Sequence, residues 1–189
     1  MKLNRDYYQH DDVVAIARDL IGKTLCTYIS GQLCKGVIVE TEAYNGRIDK
    51  ASHSFGGLRS KRTEVMYGPP GISYVYLCYG IHNMFNVVTN EEGLADAVLI
   101  RGLKPHEGIE FMMGRRGFQN NHKRLSSGPG TLSTAMGIDR SHYGEDLCGA
   151  TIWVEDYGIT PNIEVTKRVG IEYAGSDSLL PWRFISKGS

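Results

Sequence analysis

Gly36-Val37-Ile38-Val39-Glu40-Thr41-Glu42-Ala43-Tyr44 is the stretch from which the rest of the chain can be placed. Its β-branched run, Val37-Ile38-Val39, favours a strand, because two heavy substituents on Cβ fit a pleated surface better than a helical one. On a strand alternate side chains share a face, so Ile38, Glu40, Glu42 and Tyr44 are expected to point one way. A carboxylate beside an aromatic ring at a strand's end, just ahead of a polar loop, suits acid–base chemistry. An edge strand with solvated glutamates fits the same letters, and the stretch alone leaves both readings open.

Working towards the N-terminus, Thr24 to Ser30 reads as a strand that Ser30-Gly31-Gln32 turns back as a hairpin. Before it, Asp11 or Asp12 can cap a short helix with Val13, Val14, Ile16, Ala17, Leu20 and Ile21 on one broad face, and Gly22 stands where a helix ends. Towards the C-terminus, residues 45–65 form a long polar loop with Asp49, His53, Arg59, Lys61 and Arg62; a loop of that length in a compact domain is usually functional. Two strands follow, Ser73 to Tyr79 and Met84 to Thr89, joined by a tight turn that puts Tyr79, Ile81 and His82 at a hairpin tip. Ala95 to Leu103 is a further strand, apolar except for Arg101, and a buried arginine there requires a partner.

Pro105 is expected to open a helix over 106–114, and 115–127 is a second polar loop with Arg115, Arg116, His122, Lys123 and Arg124. A short helix over 131–136 and strands over 151–155, 163–169 and 182–186 complete the chain. The architecture expected is a single α+β domain over 1–189: a mainly antiparallel curved sheet, partly barrel-like, with surrounding helices and a protruding β-hairpin.

Bulk numbers narrow the function. The chain has 189 residues, 21 Lys plus Arg and 21 Asp plus Glu, so no global basic field points to nucleic acid, although a local patch would suffice for phosphates. No window is long and apolar enough for a membrane span, and the first residues lack a leader's apolar core. The four cysteines are scattered without a CxxC pair, which favours reduced thiols and a cytoplasmic setting. Neither HExxH nor a glycine-rich phosphate loop occurs, so no metal or nucleotide cofactor is expected.

Three groups can carry chemistry: Glu42 with Tyr44, the tyrosine-rich hairpin strand 74–79, and the basic loops 59–62 and 115–124. Aromatic rings that sandwich a planar group, a carboxylate beside them and cations at the rim suit a nucleobase with its phosphates. Residue types and spacing alone reach only a domain that binds a planar anionic ligand.

Glu40-Thr-Glu-Ala-Tyr44, Asp49, Ala51-Ser-His53, Met66-Tyr-Gly-Pro-Pro-Gly71, Tyr74-Val-Tyr-Leu-Cys-Tyr-Gly80, Asn86-Val-Val88, Leu99-Ile-Arg101, Ser127-Gly-Pro129, Arg168-Val-Gly170 and Arg183-Phe184 follow one another at spacings that resemble the alkyladenine (3-methyladenine) DNA glycosylases. The resemblance runs from about residue 5 to 187. It implies a monofunctional enzyme, acting without cofactor or metal on double-stranded DNA, that flips an alkylated or deaminated purine from the duplex and hydrolyses its N-glycosidic bond.

Glu42 matches the family's general base and Arg101 the arginine that helps hold the attacking water, with the Val169 backbone nearby. Tyr44, His53 and Tyr76 match the walls of the base pocket, and Asn86 a side chain that disfavours the guanine amino group. Tyr79 matches the residue that fills the gap in the duplex, flanked by Ile81 and His82. Arg59, Lys61, Arg62, Lys123 and Arg124 are candidate phosphate contacts. Tyr67, where phenylalanine is common, and Asn83, where a second histidine is common, are small departures. A bacterial, monomeric build is expected. Two other classes share these residues: a non-catalytic binder of damaged or single-stranded nucleic acid, and a small-molecule glycosidase using Glu40 and Glu42. The second suits the spacing poorly, since carboxylates two apart on a strand sit side by side.

Overall fold

The computed structural model describes residues 1–119 and 124–187; Lys123 lies outside them. In chain order it contains α1 (Arg5–Tyr8), α2 (Val13–Asp19), β1 (Thr24–Ile29), β2 (Gln32–Tyr44), β3 (Ser73–Cys78), β4 (His82–Thr89), β5 (Asp96–Glu107), α3 (Ile109–Arg116), α4 (Pro129–Met136), β6 (Ile152–Glu155), β7 (Ile163–Thr166) and β8 (Arg183–Ser186). Short 3₁₀ turns at Phe55–Gly57, Glu64–Tyr67, Arg140–His142 and Glu172–Leu179 interrupt the connections. The strands form one curved antiparallel sheet in the order β3-β4-β5-β2-β1-β6, with β8 pairing both β2 and β7.

The 13-residue β2 is the spine. Along one edge it pairs with β5; along the other, β1 takes its first half and β8 takes Glu40 to Glu42. It is therefore a central strand, and the reading of an edge with solvated glutamates fails: Glu42 is wholly buried. The two-residue turn Ser30-Gly31, with φ of 54° and 73°, joins β1 to β2. Both residues take the positive φ of the hairpin turn whose twist matches the strands.

Strict alternation along β2 does not hold. Ile38 faces Leu103 and Glu40 faces Gly102, so Val39 is an extra residue on β2; Thr41 then faces Ile100, so Arg101 is an extra residue on β5. Each bulge shifts the phase of the pleat and re-aims a side chain. As a result Ile38 lies in the main core with Ala43, and the Thr41 hydroxyl donates to Ala17 O of α2 at 2.7 Å. Glu40, Glu42 and Tyr44 share the other face, linked by Arg101 and hydroxyl contacts.

The core is built where α2 and α4 cover the sheet with Ile16, Leu20, Leu132 and Met136 against Val87, Val98, Ile100 and Phe184. Asp12 caps α2, its carboxylate accepting from the N–H groups of Val14 and Ala15 at 2.8 and 3.1 Å. The helix expected from Pro105 begins later. Strand β5 runs through Pro105, which lies opposite Gly36 beside a break in register. A proline is tolerated at such an irregularity because no ladder hydrogen bond is lost. The chain turns into α3 at Gly108, where φ is +71° and a Cβ would run into the Leu33 carbonyl oxygen.

The β3–β4 hairpin ends in Cys78-Tyr79-Gly80-Ile81, with the Ile81 N–H donating to Cys78 O at 3.2 Å. Tyr79 and Gly80 have φ of +50° and +72°, and Tyr79 is 92% exposed. An aromatic residue held left-handed and in solvent is strained by about 1–3 kcal/mol, a condition that clusters at functional sites. Next to the tip, exposed His82 pairs with Cys78 and lies against α4, where a Cβ on Gly130 would be 2.8 Å from the His82 side chain.

Candidate active site

Under the hairpin lies a cavity of about 440 Å³, lined by Tyr44, His53, Tyr76, Asn86, Arg101 and Val169 among others, with Tyr79 at its mouth. Distant parts of the chain meet here: the end of β2, the 45–67 connection, the β3–β4 hairpin, β5 and the segment just before the 172–179 turn.

One wall is a braced ring system. The Tyr76 ring stands 4.7 Å from His53 at 79° and 5.2 Å from Tyr74, tilted by 32°. The Tyr74 hydroxyl and His53 Nδ1 are 2.8 Å apart, and the Arg62 guanidinium lies 4.8 Å from the Tyr76 ring centroid. Burial and the neighbouring Arg62 push the His53 imidazole down to about 4, so it is neutral near pH 7. Burial pushes the Tyr74 phenol up to about 12. Asn86 donates its side-chain amide to Tyr74 O at 3.1 Å and so points across the strand pair.

The opposite wall conceals a carboxylate. Glu42 Oε1 accepts from the Val169 N–H at 2.9 Å; Glu42 Oε2 accepts from the Tyr44 hydroxyl at 2.7 Å and from Arg101 at 3.3 Å. All three donors belong to residues that line the cavity, so the carboxylate sits directly behind its surface. Burial, then the Glu42 charge, holds the Tyr44 phenol protonated far above its ordinary range. Arg101 is tethered in turn: its Nε donates to Glu40 Oε1 at 2.8 Å, and Arg183 donates to the same oxygen at 2.7 Å. Burial opposes the charge of Arg101, but Glu42 and Glu40 outweigh it and hold the guanidinium cationic. Glu40 and Glu42 thus flank one guanidinium, not a scissile bond, which removes the basis for a two-carboxylate glycosidase. Among the described residues no group of three or more His, Cys, Asp or Glu side chains is placed to hold a metal ion.

A family model described as methylpurine-DNA glycosylase matches residues 6–189. The chain belongs to the methylpurine-DNA glycosylase family. A relative from Desulfitobacterium hafniense (strain Y51) is 47% identical over 196 residues, covering 100% of this chain and 96% of its own. Another from Alkaliphilus oremlandii (strain OhILAs) is 43% identical, with 99% and 96% covered, and one from Methanocella arvoryzae is 44% identical, with 99% and 93% covered. Each is provisionally named a 3-methyladenine DNA glycosylase.

The residues singled out from the likeness to this glycosylase family fall into three places. Glu42, Arg101, Tyr44, His53, Tyr76, Asn86 and Val169 meet around the one cavity. Tyr79 and Ile81 project from the hairpin tip, 92% and 72% exposed, and exposed His82, paired with Cys78 next to the tip, lies against α4. The loop cations scatter. Arg59 is held bidentately by Glu64 at 2.6 and 2.8 Å, Arg62 is part of the cavity wall, Lys61 lines an adjacent concavity, and Arg124 is exposed.

Sequence reasoning gave no role to the group that sets the Tyr44 wall. Arg168 is buried and donates to both oxygens of Asp49 and to Ala43 O at 2.8 Å, with its guanidinium 4.8 Å from the Tyr44 ring and 5.2 Å from Trp182. In the sequence it stands out only as a member of the Arg168-Val-Gly170 motif, with no role attached.

His53 gives the fold a pH dependence whose sign follows from its depressed value. In the unfolded chain it takes up a proton near pH 6.5 and in the folded chain only near 4, so the unfolded state binds more protons between those values. Stability from this residue is complete above about pH 6.5 and falls by up to about 1.4 kcal/mol per pH unit down to about 4. Urea midpoints of the unaltered chain against His53→Gln across that window should show a shallower slope for the variant. Parallel slopes would mean that the imidazole titrates alike in both states.

Proposed function

We propose that this chain is a monofunctional DNA glycosylase that excises alkylated or deaminated purines, of the 3-methyladenine class, from duplex DNA. The observation that carries the reading is a carboxylate oriented by three donors against the wall of an aromatic cavity. A purine flipped from the duplex, at a cost of a few kcal/mol that is least for a damaged pair, stacks between the Tyr44 side and the Tyr76–His53 side. The left-handed Tyr79 fills the gap it leaves and recovers part of that cost.

Chemistry then needs one water. Its oxygen bonds to the sugar's anomeric carbon as the carbon–nitrogen bond breaks, and the bonding pair goes to the purine, where it neutralises an alkylated ring's positive charge. Glu42 takes the water's proton, Arg101 orients the carboxylate, and the Val169 backbone fixes its other oxygen. In the free chain the Tyr44 hydroxyl occupies Glu42 Oε2, so entry of the base and water exchanges that contact for the reacting one. Asn86, at the strand pair, selects against the guanine amino group. The enzyme acts as a monomer in the cytoplasm of a bacterial-type cell.

Full burial of Glu42 in the free chain favours one competing reading, a binder of damaged DNA without turnover. Incubation with methylated duplex and chromatography of the released bases separates the two. Free 3-methyladenine or 7-methylguanine supports the glycosylase; tight binding with no free purine supports the binder.

Tyr79→Gly tests the wedge without disturbing the fold. Stacking of a ring on a base is worth about 1–3 kcal/mol, so the dissociation constant for a lesion duplex should rise roughly 5- to 150-fold. The thermal midpoint should not fall, because glycine adopts the tip's positive φ without strain. Equal affinity for the duplex would remove Tyr79 from this role.

A further inference from the structure

The bond that breaks in a flipped purine nucleotide starts at the anomeric carbon of its sugar, so the sugar has to be held in place as well as the base. Among the described residues four tyrosines line the base cavity: Tyr44, Tyr76, Tyr79 and Tyr173. A guanidinium covers Tyr44, with Arg168 at 4.8 Å, and another covers Tyr76, with Arg62 at 4.8 Å. Tyr79 and Tyr173 are 92% and 69% exposed, and among the described residues no ring or cation stacks on either. We infer that Tyr173 is a sugar-packing residue: its open ring face lies against the deoxyribose of the flipped nucleotide and turns the anomeric carbon towards the Glu42 wall. The inference rests on the reading of a flipped purine and extends it from the base to the sugar.

Three observations support it. First, the ring lies where the sugar has to be. Glu42 sits behind the wall made by Tyr44, Arg101 and Val169, so the carbon attacked by its water lies next to that wall. Tyr173 is four residues beyond Val169, and Val169, Gly170, Ile171 and Tyr173 all line the cavity. Gly170 takes a φ of +73°, which glycine adopts without strain, and a Cβ there would meet nothing within 4 Å. The shelf between Val169 and Tyr173 is therefore open.

Second, the ring is set before any ligand arrives. Its hydroxyl donates to Ala51 O at 3.0 Å, and its neighbours Ile171 and Ala174 are buried against Ala51. A side chain fixed at both ends offers its face at little cost in conformational freedom. Third, an aromatic face suits the reaction. Cleavage of a glycosidic bond gives the sugar oxocarbenium character, and the negative face of an aromatic ring attracts positive charge.

Binding to duplexes with one altered site separates the sugar from the rest of the nucleotide. One duplex carries a tetrahydrofuran abasic site, which keeps the sugar ring and lacks the base. A second carries a propanediol spacer, which keeps the phosphodiesters and lacks the ring. The unaltered chain is compared with Tyr173→Ala, Tyr173→Phe and Leu179→Ala; Leu179 is in the same turn, is also 69% exposed and does not line the cavity.

One ring face packed on a sugar is worth roughly 5- to 30-fold in affinity. Tyr173→Ala should lose that factor on the tetrahydrofuran duplex and nothing on the propanediol duplex, and the second result also reports that the variant is folded. Tyr173→Phe and Leu179→Ala should bind both duplexes as the unaltered chain does. Tyr173→Phe removes the bond to Ala51 and keeps the ring, so a loss equal to that of Tyr173→Ala would make the residue a structural tether and overturn the sugar contact. Equal losses of Tyr173→Ala on both duplexes, or none on either, would overturn it too. Purine release from methylated duplex is scored in parallel. A loss confined to the tetrahydrofuran duplex supports the sugar contact whether or not purine is released, and no release by the unaltered chain counts against the glycosylase reading alone.

Discussion

Glu42→Gln is expected to slow single-turnover purine release by roughly 10²–10⁴-fold, the range a positioned acid–base group supplies, while affinity for a lesion duplex changes little. The substitution keeps the volume of a fully buried side chain and removes its ability to take a proton. Its amide oxygen can still accept from the Val169 N–H, which holds Glu42 Oε1 at 2.9 Å. Its amide nitrogen then faces the Tyr44 hydroxyl, which can reverse its role and accept, and Arg101, which cannot. Arg101 remains paired with Glu40 at 2.8 Å, so no unpaired cation is left in the wall. The fold should survive with a loss of about 1–3 kcal/mol, the usual penalty for one unsatisfied buried polar contact. A chain that folds, binds and fails to release purine is the expected phenotype. Release at the normal rate would end the assignment of Glu42 as the base, and loss of binding together with release would recast it as structural.

The parts of this site that were legible in the sequence are those fixed by local rules. A β-branched run beside two glutamates gave β2, Ser30-Gly31 gave its hairpin, and Asp12 gave the cap of α2. Turn residues between two tyrosine-rich and apolar strands gave the hairpin and its exposed tip. What escaped depends on pairing between strands that no single stretch reports. Ile38 faces the core and not the glutamate face because Val39 bulges, and Arg101 reaches Glu42 because it is itself the bulged residue on β5. Pro105 looked like a helix start because proline favours that place, yet a strand can carry it at a break in its ladder. Arg168 and Asp49 are 119 residues apart, and nothing local to either marks the pair. The family likeness gives roles to the cavity residues, and includes Asp49 and Arg168 in its motifs without a role.

That buried pair carries the second large effect. Asp49→Ala should destabilise the chain by about 3–5 kcal/mol, because it leaves a guanidinium buried without its carboxylate; both side chains are shielded from solvent. Against a total stability of about 5–15 kcal/mol for an ordinary domain, such a loss is severe, and urea midpoints measure it directly. Combining Asp49→Ala with Arg168→Met should recover a large part of it, since an apolar pair in a dry site avoids the stranded charge. Recovered stability should not restore activity. Arg168 also donates to Ala43 O and Asp177 O and packs between Tyr44 and Trp182, and the next residue, Val169, supplies the N–H that orients Glu42. The double variant should therefore fold, yet release purine at least tenfold more slowly, with the loss in the chemical step and not in duplex affinity. An Asp49→Ala chain as stable as the parent would show that Arg168 finds solvent or another acceptor. A double variant with full activity would show that Tyr44 and Val169 are held by the strands alone.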